Sequence, residues 1–406
     1  MDRAIMSLSA PFRPILRVPA LRLAAALIAL FGAHIATLVP YVSMLAVTRF
    51  GMSDHAFSVL LVVASFVGVA ASVSFGIRAD QRANRRRIAL IVSGALTLGT
   101  ALVTFFPIAP VFILAHALIL PVSGAIFGQV FALARLAAST CPEAERPAVL
   151  STLRALFALP WIIVLPIWSV VFRGDTPLTV IYPVCLAFAV LILGLTWAFW
   201  PRDGATAWSD APSGLSFRAS LREIAHPKVL VRVLALGTIN GAVMLYMVVV
   251  GLVFAGIPYR GASDTALYAG IMAGLEVPFM LALPFMIGRI RQTWFIFIGT
   301  VLYAIHLAGI PILAESPAVW VLTISGAIGG AIVLTQPMAY LQDLMGDRPG
   351  AGASLMALQK LAGDGFSAAS FALGTTLAVG YGLAAFIGAG LALTGATLLI
   401  VLDRRR

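Results

Sequence analysis

Gly76-Ile77-Arg78-Ala79-Asp80-Gln81-Arg82-Ala83-Asn84-Arg85-Arg86-Arg87 is a short basic stretch set between two long apolar runs. Its composition predicts a tight glycine turn that lets two helix ends approach closely. Asp80 is placed to face the positive N-terminus of a neighbouring helix. The arginines predict that this loop stays on the cytoplasmic side of a membrane.

Outward from this loop the chain is apolar almost throughout. Of its 406 residues 61% are hydrophobic and 11% charged, with a mean hydropathy of +1.02, outside the range of soluble domains. Nearly every apolar run reaches about 20 residues, the length that crosses a bilayer, so buried soluble helices do not account for them. The net charge of +11 would by itself suggest nucleic acid or an acidic partner, but its placement argues for neither. Arg3, Arg13, Arg17 and Arg22 precede the first run; Arg78 to Arg87 follow the second; Arg202 to Arg232 surround the middle loop; Arg404 to Arg406 end the chain. The intervening loops hold Arg49, Arg173 and Arg260. This positive-inside alternation predicts cytoplasmic termini, an even number of spans and, as surroundings, the lipid bilayer of a cell inner membrane. The run after Arg22 is too long for a signal-peptide core, so no separate signal peptide is expected. Cys141 and Cys185 lie far apart in the sequence and predict no disulfide.

Apolar runs bounded by charge, Pro and Gly predict twelve helices. The first six cover about 22–48, 54–78, 87–107, 110–137, 147–172 and 177–200. The second six cover about 228–256, 264–288, 292–312, 317–343, 349–378 and 379–402. Residues 201–227 carry Ser, Asp, Arg, Pro and Gly without a spanning run and read as a cytoplasmic linker. The predicted fold is therefore an all-α membrane protein of two six-helix bundles, 1–200 and 228–406.

The bundles repeat each other at three places. Ser53-Asp54-His55-Ala56 and Ser263-Asp264-Thr265-Ala266 each read as an N-cap serine followed by an acid in the first turn. Gln129 precedes Arg135 by six residues, as Gln336 precedes Gln342. Arg146-Pro147 leads to Thr152-Leu153-Arg154-Ala155-Leu156 at the spacing by which Arg348-Pro349 leads to Ser354-Leu355-Met356-Ala357-Leu358. Parallel repeats of this kind place a substrate site between the halves near the membrane midplane. Pro40, Pro121, Pro160, Pro166, Pro278, Pro284 and Pro337 predict kinks whose freed carbonyls need a neighbour or a cavity.

The Gly76–Arg87 stretch resembles the signature loop of the major facilitator superfamily, which joins its second and third membrane helices. Further segments resemble the bacterial sugar efflux transporter family. These are Gln129 to Arg135, Arg154 through Trp161 to Pro166, Asn240, Gly274-Leu275-Glu276-Val277-Pro278, and Gln342-Asp343-Leu344-Met345 with Arg348 and Gly350. The chain departs from that family at Met244-Leu245-Tyr246-Met247-Val248, where the family carries an acid, and at Gly288-Arg289-Ile290-Arg291-Gln292, a degraded second copy of the loop. The resemblance implies the major facilitator fold and export of mono- or disaccharides or glycosides by alternating access, as an antiporter against protons. It also implies that Asp80, with Arg85 and Arg86, latches against the start of the eleventh helix, Pro349-Gly350-Ala351-Gly352, when the inner side is closed.

Among the intramembrane polar residues, Glu276 sits near the middle of its predicted helix, where a permanent charge is costly. Three readings of it stay open: a proton carrier, a contact to sugar hydroxyls, and a cap for backbone freed by Pro278. Lys360 and Asp364, four residues apart, read as an ion pair on one helix face or as a second proton-coupling site. Arg135, Arg154 and Asp343 lie near helix ends and read as an inner-gate charge network, with snorkelling of Arg135 as the competing account. Gln129, Asn240 and Gln336 offer amides at membrane depth and Trp161 a flat stacking face, which together suit a sugar. Each amide serves equally well as a bridge between helices. His34, His116 and His306 have no metal-ligand spacing, so no metal and no cofactor are expected. The sequence holds no Ser-His-Asp, HExxH or phosphate-cradling cluster that would make it an enzyme, and no appended signalling domain that would make it a receptor. The expected partners are a sugar, protons and lipid, with the chain acting as a monomer; efflux of drugs or small amphiphiles is the alternative within the same fold.

Overall fold

The computed structural model describes residues 13–82, 84–174, 176–208, 227–283, 290–345 and 349–404. Within these, a short helix, Arg13–Arg17, precedes the first half. That half contains α1 (Pro19–Arg49), α2 (Asp54–Arg82), α3 (Arg85–Phe105), α4 (Ala109–Ala138), α5 (Arg146–Phe172) and α6 (Leu178–Phe199). The second contains α7 (Pro227–Ala255), α8 (Ala262–Ala282), α9 (Gln292–Leu313), α10 (Pro317–Leu341, α-helical on to Met345), α11 (Pro349–Leu377) and α12 (Gly382–Leu402). Among the described residues, eleven of these helices are long and apolar enough to cross a membrane. The remaining one, α11, has 29 residues but is built mainly of Gly, Ala, Ser and Thr, with Lys360 and Asp364 in its length. It packs against α7, α2 and α12, where its small residues permit close helix approach.

The connection across Gly76–Arg87 is shorter than predicted. Helix α2 continues through Gly76 to Arg82 and α3 begins at Arg85. Gly76 is an ordinary helical residue, not among the glycines with positive φ, and the predicted glycine turn is therefore incorrect there. Ala, Gln and Arg are good helix formers and carry the helix past the apolar run. The side chain of Asp80 and the segments 209–226, 284–289 and 346–348 lie outside the described residues. These include most of the predicted linker, Pro284, Arg348 and the start of the second loop copy.

Proline positions account for local distortions. Pro40 lies in a tighter 3-10 turn, Val39–Tyr41, and α1 then ends in a wider π-turn, Leu45–Arg49. Pro121 follows a second π-turn, Ala115–Ile119, in α4. Close packing is carried by small residues. On α7, Gly237 faces Ala362 of α11, and Gly241 lies where a Cβ would come within 3.0 Å of the Gly363 carbonyl. Small residues four apart let two membrane helices approach to backbone contact.

Candidate functional site

Two seams join the halves. Along the first, α2 meets α11: Tyr381, just beyond α11, places its hydroxyl 3.5 Å from Asp54 Oδ1, Phe57 packs edge-on to Phe371 at 5.9 Å, and Ser65 Oγ donates to Asp364 Oδ2 at 2.7 Å. Along the second, α5 meets α8: Ser263 Oγ donates to the Ser169 carbonyl at 2.8 Å, and the Cβ position of Gly270 lies 3.2 Å from Leu165 and Pro166. The Cβ position of Gly274 lies 4.0 Å from Ile162. Where α7 crosses α1, the Cβ position of Gly251 is 3.3 Å from the Pro40 carbonyl. These contacts run from the helix ends at Asp54, Phe172, Ala262 and Leu377 to about ten to thirteen residues inward, roughly 15–20 Å at about 1.5 Å per residue. That is about half of a roughly 30 Å hydrocarbon core.

Among the described residues the contacts named here reach to about mid-depth, and an acid sits near the innermost contact of each seam. Glu276 lies two residues past Gly274 on α8, half-buried, with its carboxyl packed on Gly330 of α10 so closely that a Cβ there would overlap Oε1. Asp364 on α11 accepts from both Ser65 and Lys360 Nζ, the latter at 2.6 Å. The Lys360 side chain is 60% exposed and that of Asp364 13%, so the ammonium looks outward while its partner is buried in the seam.

The predicted site residues are only partly brought together. Gln129 is buried inside the first half, lining a small space with Leu27, Ser93, Thr196 and Trp200, and its Oε1 has no hydrogen-bond partner among the described residues. Asn240 presses Nδ2 onto Gly363 of α11, within the second half. Gln336 is buried on α10, and Trp161 is half-buried on α5 beside Ile162. At the opposite end of the bundle Arg135 and Arg154 are exposed. Asp343 Oδ2 accepts from Gln292 Nε2 at 3.5 Å in its own half, and among the described residues no ion pair joins Asp343 to either arginine. Arg86 is tied within the first half, its backbone amide donating to Asp203 and its guanidinium to the Trp197 carbonyl at 2.7 Å. Arg85, which opens α3, also has an interacting partner.

The repeat comparison is corrected at one position. Ser53 caps α2, its Oγ accepting from the Ala56 amide at 3.2 Å. Ser263 lies inside α8 and spends its hydroxyl on the seam, while Asp264 Oδ2 accepts from the Gly261 amide at 3.2 Å and caps the helix. The same sequence pattern therefore caps in one half and bridges in the other.

Several polar groups escape sequence reasoning. Arg232, read above as part of the positive middle loop, is buried in the second half, pairing with Asp403 Oδ1 at 2.6 Å. Tyr340 donates to Asp403 Oδ2 at 2.8 Å, and Arg291 donates to the Asp403 carbonyl. Tyr246, Tyr268, Tyr303 and His306 form a buried aromatic cluster behind Glu276, with His306 Nδ1 3.0 Å from the Leu322 carbonyl. Ser65 carries no local signal at all: it is one serine in an apolar run.

No family model matches the chain. It is 26% identical over 340 residues, 80% of this chain and 83% of the relative, to a Deinococcus radiodurans protein named "Putative sugar efflux transporter". Among solved structures it is similar to the nucleoside transporter NupG, with a TM-score of 0.71 at 14% identity, covering 97% of this chain and 100% of that one. It is also similar to a D-xylose-proton symporter, with a TM-score of 0.69 at 15% identity, covering 93% and 96%. The chain is thus an integral membrane protein with the major facilitator fold of these transporters. The resemblance to sugar efflux transporters drawn from its segments agrees with the relative of that name.

Proposed function

We propose that this protein exports sugars across the cell inner membrane by alternating access, coupled to protons through Glu276, with both termini in the cytoplasm and the chain working as a monomer. The observation that carries this reading is the arrangement of the seams. Among the described residues the contacts along each seam reach from one end to about mid-depth, and the intramembrane acids Glu276 and Asp364 stand at or just beyond the innermost of them. A carboxyl at that depth is costly as a permanent charge and suits a group that takes up and releases a proton as its surroundings alternate. The relative's name supports sugar as cargo and efflux as direction.

Trp161 and Gln336, on helices adjoining Glu276, complete the sugar site. Gln129 and Asn240 each pack against residues of their own half. Asp80, Arg85 and Arg86 act as the latch of the inner side, and Arg135, Arg154 and Asp343 meet only when that side closes. Their present separation accords with a conformation closed at the other end.

Inverted vesicles containing the protein, offered a panel of radiolabelled sugars with and without a proton gradient, test the proposal. Gradient-dependent accumulation that is lost in Glu276→Gln is expected. Accumulation of a cationic dye and of no sugar would replace the sugar reading with drug efflux. Gradient-driven sugar accumulation undiminished in Glu276→Gln would remove Glu276 from coupling.

A further inference from the structure

Asp364 Oδ2 is a single carboxylate oxygen that accepts two short bonds, from Ser65 Oγ at 2.7 Å and from Lys360 Nζ at 2.6 Å. The two donors differ in origin. Lys360 belongs to the same helix, one turn away, and travels with Asp364. Ser65 comes from the other half of the molecule, 299 residues distant, and is the innermost polar contact that the α2–α11 seam shows among the described residues.

A carboxylate beside an ammonium is a matched receptor for two neighbouring hydroxyl groups. The carboxylate oxygen accepts from one hydroxyl, and the ammonium, with donors to spare beyond its bond to Asp364, donates to the oxygen of the next. In the present conformation one half of that receptor is filled by the protein itself, since Ser65 offers Asp364 the same O–H group that a polyol would. The other half, the Lys360 ammonium, is open.

We propose that Asp364 and Lys360 form a hydroxyl-binding subsite for a vicinal diol, with Ser65 as its built-in competitor. A sugar hydroxyl that displaces Ser65 Oγ from Asp364 Oδ2 keeps the carboxylate bonded while cutting the α2–α11 seam at its inner limit. Cargo binding and release of the seam are then one exchange of hydrogen bonds, with no buried charge left bare. This deepens the sugar reading given above and rests on it.

The competitor makes a prediction that a merely structural serine does not. Ser65 reduces the fraction of protein ready to receive the ligand, so its removal raises apparent affinity. The test is equilibrium binding of radiolabelled lactose and D-glucose to the full-length protein in lipid nanodiscs. Ser65→Ala should bind more tightly than wild type, and Ser65→Thr, which keeps the hydroxyl, should match wild type. Asp364→Asn and Lys360→Gln should each weaken binding about tenfold or more, the scale of a lost charge-assisted hydrogen bond. A sugar bound by wild type with equal or lower affinity in Ser65→Ala, or with unchanged affinity in Asp364→Asn, overturns the subsite and leaves the sugar reading standing. Failure of wild type to bind either sugar while the folded protein binds a cationic dye overturns the sugar reading and the subsite with it.

Discussion

The two halves share an architecture and differ in where they keep charge. Inside the first half the buried polar pairs are neutral: His34 Nε2 lies 3.4 Å from Thr100 Oγ1, His116 Nε2 2.8 Å from the Tyr182 hydroxyl, and Trp168 donates to Thr37. The second half buries ions. Arg232 pairs with Asp403 at one end. At the other, Arg260 lies over Phe254 and Trp320, at 5.2 and 5.6 Å from their ring centroids, and 3.6 Å from Asp264. Glu276 and Lys360–Asp364 stand at mid-depth between them. A membrane interior tolerates a charge only where a partner or a cavity receives it. The cited buried pairs of the first half are therefore neutral, while the second half carries the charged groups at mid-depth.

This contrast predicts that the largest stability losses lie in the second half. Asp403→Ala leaves Arg232 buried without its counter-ion and should destabilise the protein by about 3–5 kcal/mol, read as a fall in thermal midpoint in detergent. A loss below about 1 kcal/mol would mean the pair is solvated. Gly329→Ala should cost about 1–3 kcal/mol by the same assay, because overpacking a tight contact forces helices apart. Its Cβ would lie 2.6 Å from the Tyr303 backbone nitrogen. Gly94→Ala in the first half, with nothing within 4 Å of that position inside α3, should instead stabilise by about 0.5–1 kcal/mol. His116→Phe should cost about 1–2 kcal/mol by leaving the Tyr182 hydroxyl buried and unpaired, and should leave transport intact. A transport defect there would show that the buried neutral pairs of the first half do more than hold its helices together. The smallest effect is expected for Arg17→Ala, which removes an exposed pair with Glu145 at 3.2 Å, within about 0.5 kcal/mol of wild type and smaller still at high salt.

Much of this protein is legible in its sequence. Span length and the alternation of arginine loops gave the helices to within a few residues, because bilayer thickness and charge placement act on each segment separately. Glu276 and the Lys360–Asp364 pair also stood out, since ionisable groups in apolar runs are rare and costly. Failures came where the outcome depended on distant neighbours. Gly76 sat inside a helix because the flanking residues could continue it. Ser263 gave up a local cap for a bond to Ser169, which only the approach of α5 makes available. Arg232 looked like one more loop arginine, and its partner Asp403 lies 171 residues away.

Repeated membrane crossing and the positions of the intramembrane charges follow from local hydropathy and charge, which act on each segment separately. Which of those charges are bonded, and that Ser65 reaches Asp364, follows only from how the helices pack. A hydrogen bond between halves needs two helices brought within about 3 Å at one depth, and no run of residues along either helix encodes that meeting.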